Sequence, residues 1–584
     1  MSLIIAEKPK VAKKIAEFLS KKRYKVHKYK KAIYYSFYLN NKLYYVISAL
    51  GHLYTLASKN KKWSYPVFDY QWVPAYEVDK LFIKKQYISL AERFSNEAEV
   101  IIATDYDIEG ELIGYNIIRF ALGRSNAKRM IFSAITPKDI WKAFLNMQDT
   151  ISLNFAVAGE TRHIVDWIYG INLSRALTHA IRHYNKKIIL SIGRVQGPTL
   201  KLIFDREQEI RNFIPDEFYV LYAYVFKNNL VLKFKHIKEK FKTKEEANKE
   251  KSKIKDYLTI GKISKTIEKL SPPVPYNLTD LQADAYKYYK ITPKQTLAIA
   301  QSLYEQGYIS YPRTSSQKLP DTIDFKYILS NLQRTISYKS LVDPLLRKSI
   351  LKPNNGKKDD VHPAIHPTGV LPSGLSSNEW KIYDLICRRF IACFYDPGLV
   401  KKYKVITREN LYFEYKDVVE KGWTIVYWRW LKDSFLNIKF VEGEKIKVKQ
   451  VSIRKQKTKP PARYNPASLV KKMEEINIGT KATRAEIVQV LYKRNYISGR
   501  SIKITDLGET VISLFDKYLP EILNVQLTRK LERELEYIEK GKLELKDKVI
   551  ETVKEVVHNV CLEIKEKEKE IGKELYEVYK QVKK

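Results

Sequence analysis

The chain has 584 residues, too many for one hydrophobic core, so about three to five modules of ordinary size are expected. It is 45% hydrophobic and 29% charged, which excludes an intrinsically disordered chain. Lysine and arginine number 105 against 66 for aspartate and glutamate, a formal net charge of +39 that favours a polyanionic partner, nucleic acid first.

Residues 3–6 read as a buried strand, and Pro9 suits the first turn of a helix running through Val11, Ile15 and Phe18. This apolar run is too short for a signal peptide, and no stretch approaches the roughly 20 apolar residues a membrane span needs. The expected compartment is therefore the cytoplasm, with the nucleoid. Residues 44–49 and 100–104 read as further strands, each followed by a loop and a helical pattern, which suggests an α/β unit with a largely parallel sheet. The pattern is helical from about 150 to 205 and strand-like from about 215 to 270, including 218–226 and 230–234. A proline-rich break at 271–275 opens a helical region reaching roughly 398. Strands return over 401–451, as in 423–428 and 436–440. A second break, Lys457-Thr458-Lys459-Pro460-Pro461, leads into helices that end in a charged amphipathic stretch over 546–584. This near-palindromic order suggests nesting, with a helical module inserted in a strand module that is itself inserted in another helical module. Cys387, Cys393 and Cys561 form no C-x-x-C pair, so neither a zinc ribbon nor a disulfide framework is expected.

The apolar run 101–104 is followed by Asp105-Tyr106-Asp107-Ile108-Glu109-Gly110. Three carboxylates at alternate positions then lie at the C-terminal edge of a strand, where α/β sheets place ligands. Like charges this close call for a cation or a shared proton, and an oxygen-only donor set suits Mg²⁺. A turn capping a helix over 109–112 explains an isolated triplet equally well. Glu7 tips the balance, because it stands at the same point after the first strand with Lys8 beside it.

Gly307-Tyr308-Ile309-Ser310-Tyr311-Pro312-Arg313-Thr314 lies in the middle helical region. A phenol attacks a phosphodiester if its proton is removed and the phosphate charge is offset, and Arg313 supplies a forked donor. With 42 tyrosines in the chain, this proximity alone carries little. His362, in Val361-His362-Pro363-Ala364-Ile365-His366-Pro367-Thr368, sits in a proline-bounded loop where a structural histidine is the commoner case.

The segment around Tyr311 and Arg313 resembles the active-site motif of type IA DNA topoisomerases, and Asp105-x-Asp107-x-Glu109-Gly110 with Glu7 resembles the acidic signature of the Toprim domain. Glu160-Thr161-Arg162-His163-Ile164-Val165-Asp166-Trp167, then Gly170-x-Asn172-x-Ser174-Arg175, is similar to the family's first gate-helix segment. So are Ser191-Ile192-Gly193-Arg194-Val195-Gln196, Pro460-Pro461-x-Arg463-Tyr464 and Gly479-Thr480-x-Ala482-Thr483-Arg484-Ala485 to later family segments. Glu7-Lys8-Pro9 is the version typical of the topoisomerase III subgroup. Ser315 departs from the family, standing where many relatives carry an acidic residue.

The resemblance implies a toroidal, multidomain α and β fold. Its parts would be a Toprim domain over 1–148, a helical gate domain over 149–209 and 456–584, a β-rich hinge over 210–270 and 400–455, and a helical domain over 271–399 carrying the tyrosine. It implies ATP-independent cleavage of one DNA strand through a 5′-phosphotyrosyl link on Tyr311, passage of another strand, and rejoining; no G-x-x-x-x-G-K-[ST] segment occurs. Arg313, Glu7, Lys8 and His362 would serve catalysis. Asp105, Asp107, Glu109 and Glu7 would hold Mg²⁺, while Arg162, Asp166, Ser191, Arg194, Gln196 and Arg484 would contact DNA. Single-stranded or underwound duplex DNA is the implied substrate, with a helicase or single-strand-binding protein as partner and no membrane.

Overall fold

The computed structural model describes residues 1–60, 62–184, 190, 192–359, 361–427, 438–518 and 520–582. In chain order the first unit contains strands β1 (Ser2–Ala6), β2 (Lys25–Tyr29), β3 (Ala32–Leu39), β4 (Lys42–Ser48), β5 (Tyr54–Ser58), β6 (Tyr70–Pro74), β7 (Glu99–Ala103) and β8 (Lys128–Arg129). Six of them form one sheet in the order β2-β3-β4-β1-β7-β8, while β5 and β6 pair as a separate hairpin. Pairing is parallel from β4 through β1 and β7 to β8, and antiparallel at β2-β3 and β3-β4.

The central strand β1 is apolar after its first residue and buried along its whole length, as a strand covered on both faces must be. Ala6 lies opposite Ala103, so β1 and β7 end at the same level and the residues that follow meet above one sheet edge. Pro9 opens the helix Pro9–Leu19, which buries Val11, Ala12, Ile15, Ala16 and Leu19.

The helix Leu153–Arg182 runs through the second unit and packs against the helices Val525–Glu539, Leu545–Glu566 and Glu568–Val582 from the end of the chain. Ile164, Leu173, Leu531, Val553 and Leu575 share that core. The charged C-terminal stretch is thus two helices, each contributing apolar side chains to this core.

Between these helical segments lie β9 (Glu217–Lys227), β10 (Leu230–His236), β11 (Tyr257–Leu270), β12 (Gly398–Thr407), β13 (Leu411–Glu420) and β14 (Lys445–Lys457). They close into one barrel in the order β10-β13-β12-β11-β14-β9, filled by Ala223, Val225, Phe234, Leu258, Val405 and Leu411. Three strands precede the helical unit that carries Tyr311 and three follow it. The barrel therefore joins two distant stretches of chain, and the helical unit leaves and returns between the adjacent strands β11 and β12.

Two expected strands differ. Residues 422–425 form a 3₁₀ turn in which Trp423 Nε1 donates to Leu270 O at 2.9 Å, and Trp428 lies outside the described residues. In the 436–440 stretch, Leu436 and Asn437 are also outside them. Ile438 and Phe440 plug the barrel without joining its hydrogen-bonded ladder. Their apolar alternation reflects burial, which a plug and a strand share. A last short pairing, β15 (Ile497–Ser498) with β16 (Lys503–Ile504), interrupts the late helices.

Candidate active site

Glu7 and Asp105 emerge from the ends of β1 and β7, and both are buried, at 6% and 3% exposure. Asp107 caps the helix Ile108–Asn116, its Oδ1 accepting from the Gly110 amide at 2.8 Å. The capping role and the cluster role thus fall on one residue. Gly110 must be glycine here, since a Cβ would lie 2.1 Å from the Asp105 carbonyl oxygen. Behind the loop, Arg129 and Glu111 form a fully buried ion pair at 2.8 Å, and Arg129 also donates to the carbonyls of Thr104 at 2.9 Å and Asp105 at 3.0 Å. This strut fixes the backbone from which the carboxylates project.

Glu109 stands apart from the other carboxylates in its pairing. It meets His52 Nε2 at 2.8 Å. Although burial opposes ionisation, His52 and, more weakly, Arg162 and His163 hold its pKa at about 2. Burial raises the pKa of Glu7, against the pull of Lys8. Asp105 is pushed well above the usual carboxylate range by burial and then by Glu7 and Asp107. Among the described residues no three acidic, histidine or cysteine side chains converge into a ready metal cage. Glu7, Asp105 and Asp107 nonetheless form a hard, oxygen-only donor set whose like charges repel. Mg²⁺ suits such a set because it keeps several waters and needs only one or two carboxylates.

Tyr311 faces these carboxylates from another part of the chain. Its ring is 1% exposed, its hydroxyl donates to Asp107 Oδ2 at 2.5 Å, and its amide donates to Ser133 O at 2.8 Å. Burial, then Asp107 and Asp105, raise the phenol well above its ordinary pKa, while Arg313 draws it down. Arg313 Nη1 is 3.9 Å from Asp107, and its buried Nε has no hydrogen-bond partner among the described residues. Tyr304 donates to Asp105 Oδ1 at 3.2 Å, and Lys8 Nζ lies 3.7 Å from Glu7.

The His362 ring sits 4.5 Å from that of Tyr311. Its Nε2 lies 2.8 Å from the Tyr106 carbonyl, so Nε2 carries the proton and Nδ1 accepts from the Ser133 hydroxyl at 2.9 Å. Burial lowers its pKa to about 4, leaving the ring neutral at neutral pH. The site is thus assembled where the first unit meets the helical unit. Gly307 closes that seam: its φ is +80°, and a Cβ there would lie 2.4 Å from Ile135 O.

A cavity of about 710 Å³ is lined by Asp107, Glu109 and His362, and also by Arg162, Arg484 and Glu532. Arg162 pairs with Glu532 at 2.9 Å, while Arg194 pairs with Glu532 at 2.8 Å and Asp166 at 2.8 Å. Arg484 donates to Ile478 O at 3.1 Å and approaches Glu474 at 3.6 Å. Gln196 opens the helix Gln196–Arg211 with its buried Oε1 unpartnered among the described residues, and Ser191 lies outside them. The guanidinium groups are therefore prepaid with carboxylates, and the large positive charge of the chain is not concentrated here. Glu532, His52, Tyr304 and Ser133 went unread in the sequence. Glu532 looks like one more charge on an amphipathic helix, and nothing local marks the other three.

The profile of the family described as DNA topoisomerase matches residues 150–550, and that of the Toprim domain matches residues 2–135. "DNA topoisomerase 1" of Pyrococcus horikoshii is 44% identical over 99% of this chain and 86% of its own length. The protein of the same name from Methanocaldococcus jannaschii is 44% identical over 98% and 75%. "DNA topoisomerase 3" of Staphylococcus aureus is 33% identical over 96% and 82%. Full-length topoisomerase I from Thermotoga maritima superposes with a TM-score of 0.75 at 28% identity, covering 96% of this chain and 90% of that one. The chain belongs to the type IA DNA topoisomerases, with their Toprim domain and toroidal fold, and their general activity is single-strand DNA cleavage and strand passage. Toprim domains typically bind Mg²⁺.

Proposed function

We propose that Tyr311 is the nucleophile of this topoisomerase and that its acidic partners belong to the same reaction centre. The observation that carries the reading is the buried hydroxyl of Tyr311 held 2.5 Å from Asp107, with Arg313 and His362 against it. Tyr311 Oη attacks a backbone phosphorus in single-stranded or underwound DNA. The P–O3′ bond breaks as the P–Oη bond forms, so no ATP is consumed. Asp107 is the nearest acceptor for the phenol proton. Lys8, next to Glu7, protonates or stabilises the departing 3′ oxygen, and Arg313 offsets the charge on the attacked phosphate. His362, neutral and tied to Ser133 and Tyr106, packs against the Tyr311 ring and would donate Nε2–H near that phosphate on leaving the Tyr106 carbonyl.

Glu7, Asp105 and Asp107 would hold Mg²⁺, and Glu109 would join them on leaving His52. Bound there, the ion supplies positive charge that positions the 3′ end for rejoining. Arg162, Asp166, Arg194, Gln196 and Arg484 would line the strand groove, and Ser191, the remaining expected contact, lies outside the described residues. The closed barrel made of two chain segments supports the six-part division at 1–148, 149–209, 210–270, 271–399, 400–455 and 456–584, with the second barrel segment extended to begin at Gly398 and end at Lys457. Glu7-Lys8-Pro9 supports membership of the topoisomerase III subgroup. The enzyme works in the cytoplasm at the nucleoid, alongside a helicase or single-strand-binding protein. No helix among the described residues is long and apolar enough to cross a membrane.

The test is incubation with end-labelled single-stranded DNA and Mg²⁺, stopped with detergent, beside Tyr311→Phe. A 5′-phosphate-linked adduct on the wild type alone is expected, with DNA binding nearly equal in both. An adduct that persists in Tyr311→Phe would overturn the assignment.

A further inference from the structure

Lys481 lies between Thr480 and Ala482, just before the helix Arg484–Lys493, and its side chain is 29% exposed. It lines the same cavity as Asp107 and His362. Its Nζ pairs with Asp359 Oδ2 at 2.8 Å, across the boundary between the late helices and the unit that carries Tyr311. The Asp359 side chain is 8% exposed and fully engaged: Oδ2 also accepts from the Ser315 hydroxyl at 2.6 Å and its amide at 3.1 Å, and Oδ1 accepts from the Val361 amide at 3.0 Å. Asp359 thus links Ser315, two residues after Arg313, to Lys481. Ser315 and Asp359 each lie within three residues of a proposed catalytic side chain, Arg313 and His362. The Lys481 charge also reaches the His362 ring.

A lysine ammonium is a mobile point charge, and a phosphate competes well with a carboxylate for it. We propose that Lys481 is a backbone-phosphate contact of the cleavage groove, held in reserve by Asp359. The entering strand exchanges Asp359 for a phosphate and loosens the tie between the late helices and the tyrosine-bearing unit. Asp359, relieved of Lys481, stays seated on Ser315 and Val361 and so does not follow the lysine into the groove. This inference rests on the reading of the cavity as the strand groove.

The test compares Lys481→Gln, Lys481→Arg and Asp359→Asn in salt-dependent binding of an oligothymidylate, with adduct formation by the wild type as a control. Each phosphate contact on a single strand contributes about 0.7 to the slope of log affinity against log salt. Lys481→Gln should bind several-fold more weakly with a slope shallower by about 0.7, and Lys481→Arg should restore both. Asp359→Asn should bind at least as tightly as the wild type, with the slope kept. A merely structural ion pair predicts the same change in Lys481→Gln and Asp359→Asn. That result, or an unchanged slope in Lys481→Gln, overturns the inference while wild-type adduct leaves the groove reading standing. Wild-type enzyme that binds but forms no adduct would remove the reading beneath it.

Discussion

The hydroxyl of Tyr311 donates to the carboxylate of Asp107 at 2.5 Å, although 204 residues separate them in the chain. Tyr311, the proposed nucleophile, is thus tied to one of the acidic groups that crowd the site. Asp107 has its other oxygen on the Gly110 amide, so each of its oxygens already accepts one hydrogen bond. Attack on a phosphate and full engagement of Asp107 elsewhere both require this bond to break.

Removing the crowded carboxylates separates binding from rejoining. Asp105→Ala combined with Asp107→Ala should raise the Mg²⁺ midpoint for rejoining by about tenfold or more, the scale on which metal sites respond to lost partners. Affinity for single-stranded DNA should change by no more than about threefold, because phosphate contacts elsewhere in the groove dominate it. Rejoining is followed by chasing preformed adduct with salt across an Mg²⁺ titration. A titration curve superimposable on that of the wild type refutes the metal role.

The seam at Gly307 offers a steric test of assembly. Gly307→Ala adds a Cβ 2.4 Å from the backbone oxygen of Ile135, at a φ of +80° that alanine disfavours. The tyrosine-bearing unit must then stand off the first unit, and a displacement of about 1 Å can cost about a hundredfold in rate. Single-turnover cleavage should fall on that scale while anisotropy binding to an oligonucleotide stays within about twofold. Wild-type cleavage by Gly307→Ala would mean that chemistry does not need the closed seam.

Much of this site was legible because its pieces are local. Glu7, Asp105 and Asp107 each follow a short apolar strand, and the parallel register of β1 and β7 does the rest. Tyr311 and Arg313 share one short segment. What could not be read were long-range pairings. His52 pairs with Glu109, and Asp359 accepts from Ser315 across 44 residues of chain. Closure of the barrel was equally hidden, because strand order depends on pairings between stretches separated by the whole tyrosine-bearing unit. The plug at Ile438 and Phe440 mimicked a strand because alternation reports burial, not hydrogen bonding.

Glu532 gives the groove a pH signature. It lies between Arg162 at 2.9 Å and Arg194 at 2.8 Å. Although burial opposes ionisation, the two arginines hold its pKa at about 2, below the ordinary 4.5. A depressed carboxylate contributes stability that is present above the unfolded pKa and lost as pH falls through the folded one. The window is therefore pH 4.5 down to about 2, and the shift corresponds to about 3 kcal/mol at neutral pH. Glu532→Gln leaves two buried guanidinium groups under-compensated, so it should be destabilised by about 3 kcal/mol at pH 7. Its deficit should shrink toward zero as the wild type is acidified through that window. Thermal midpoints of both proteins at matched ionic strength, from pH 7 to the lowest pH at which the wild type folds, read this directly. A deficit that stays constant down to pH 3 would show that Glu532 acts through packing and not through its charge.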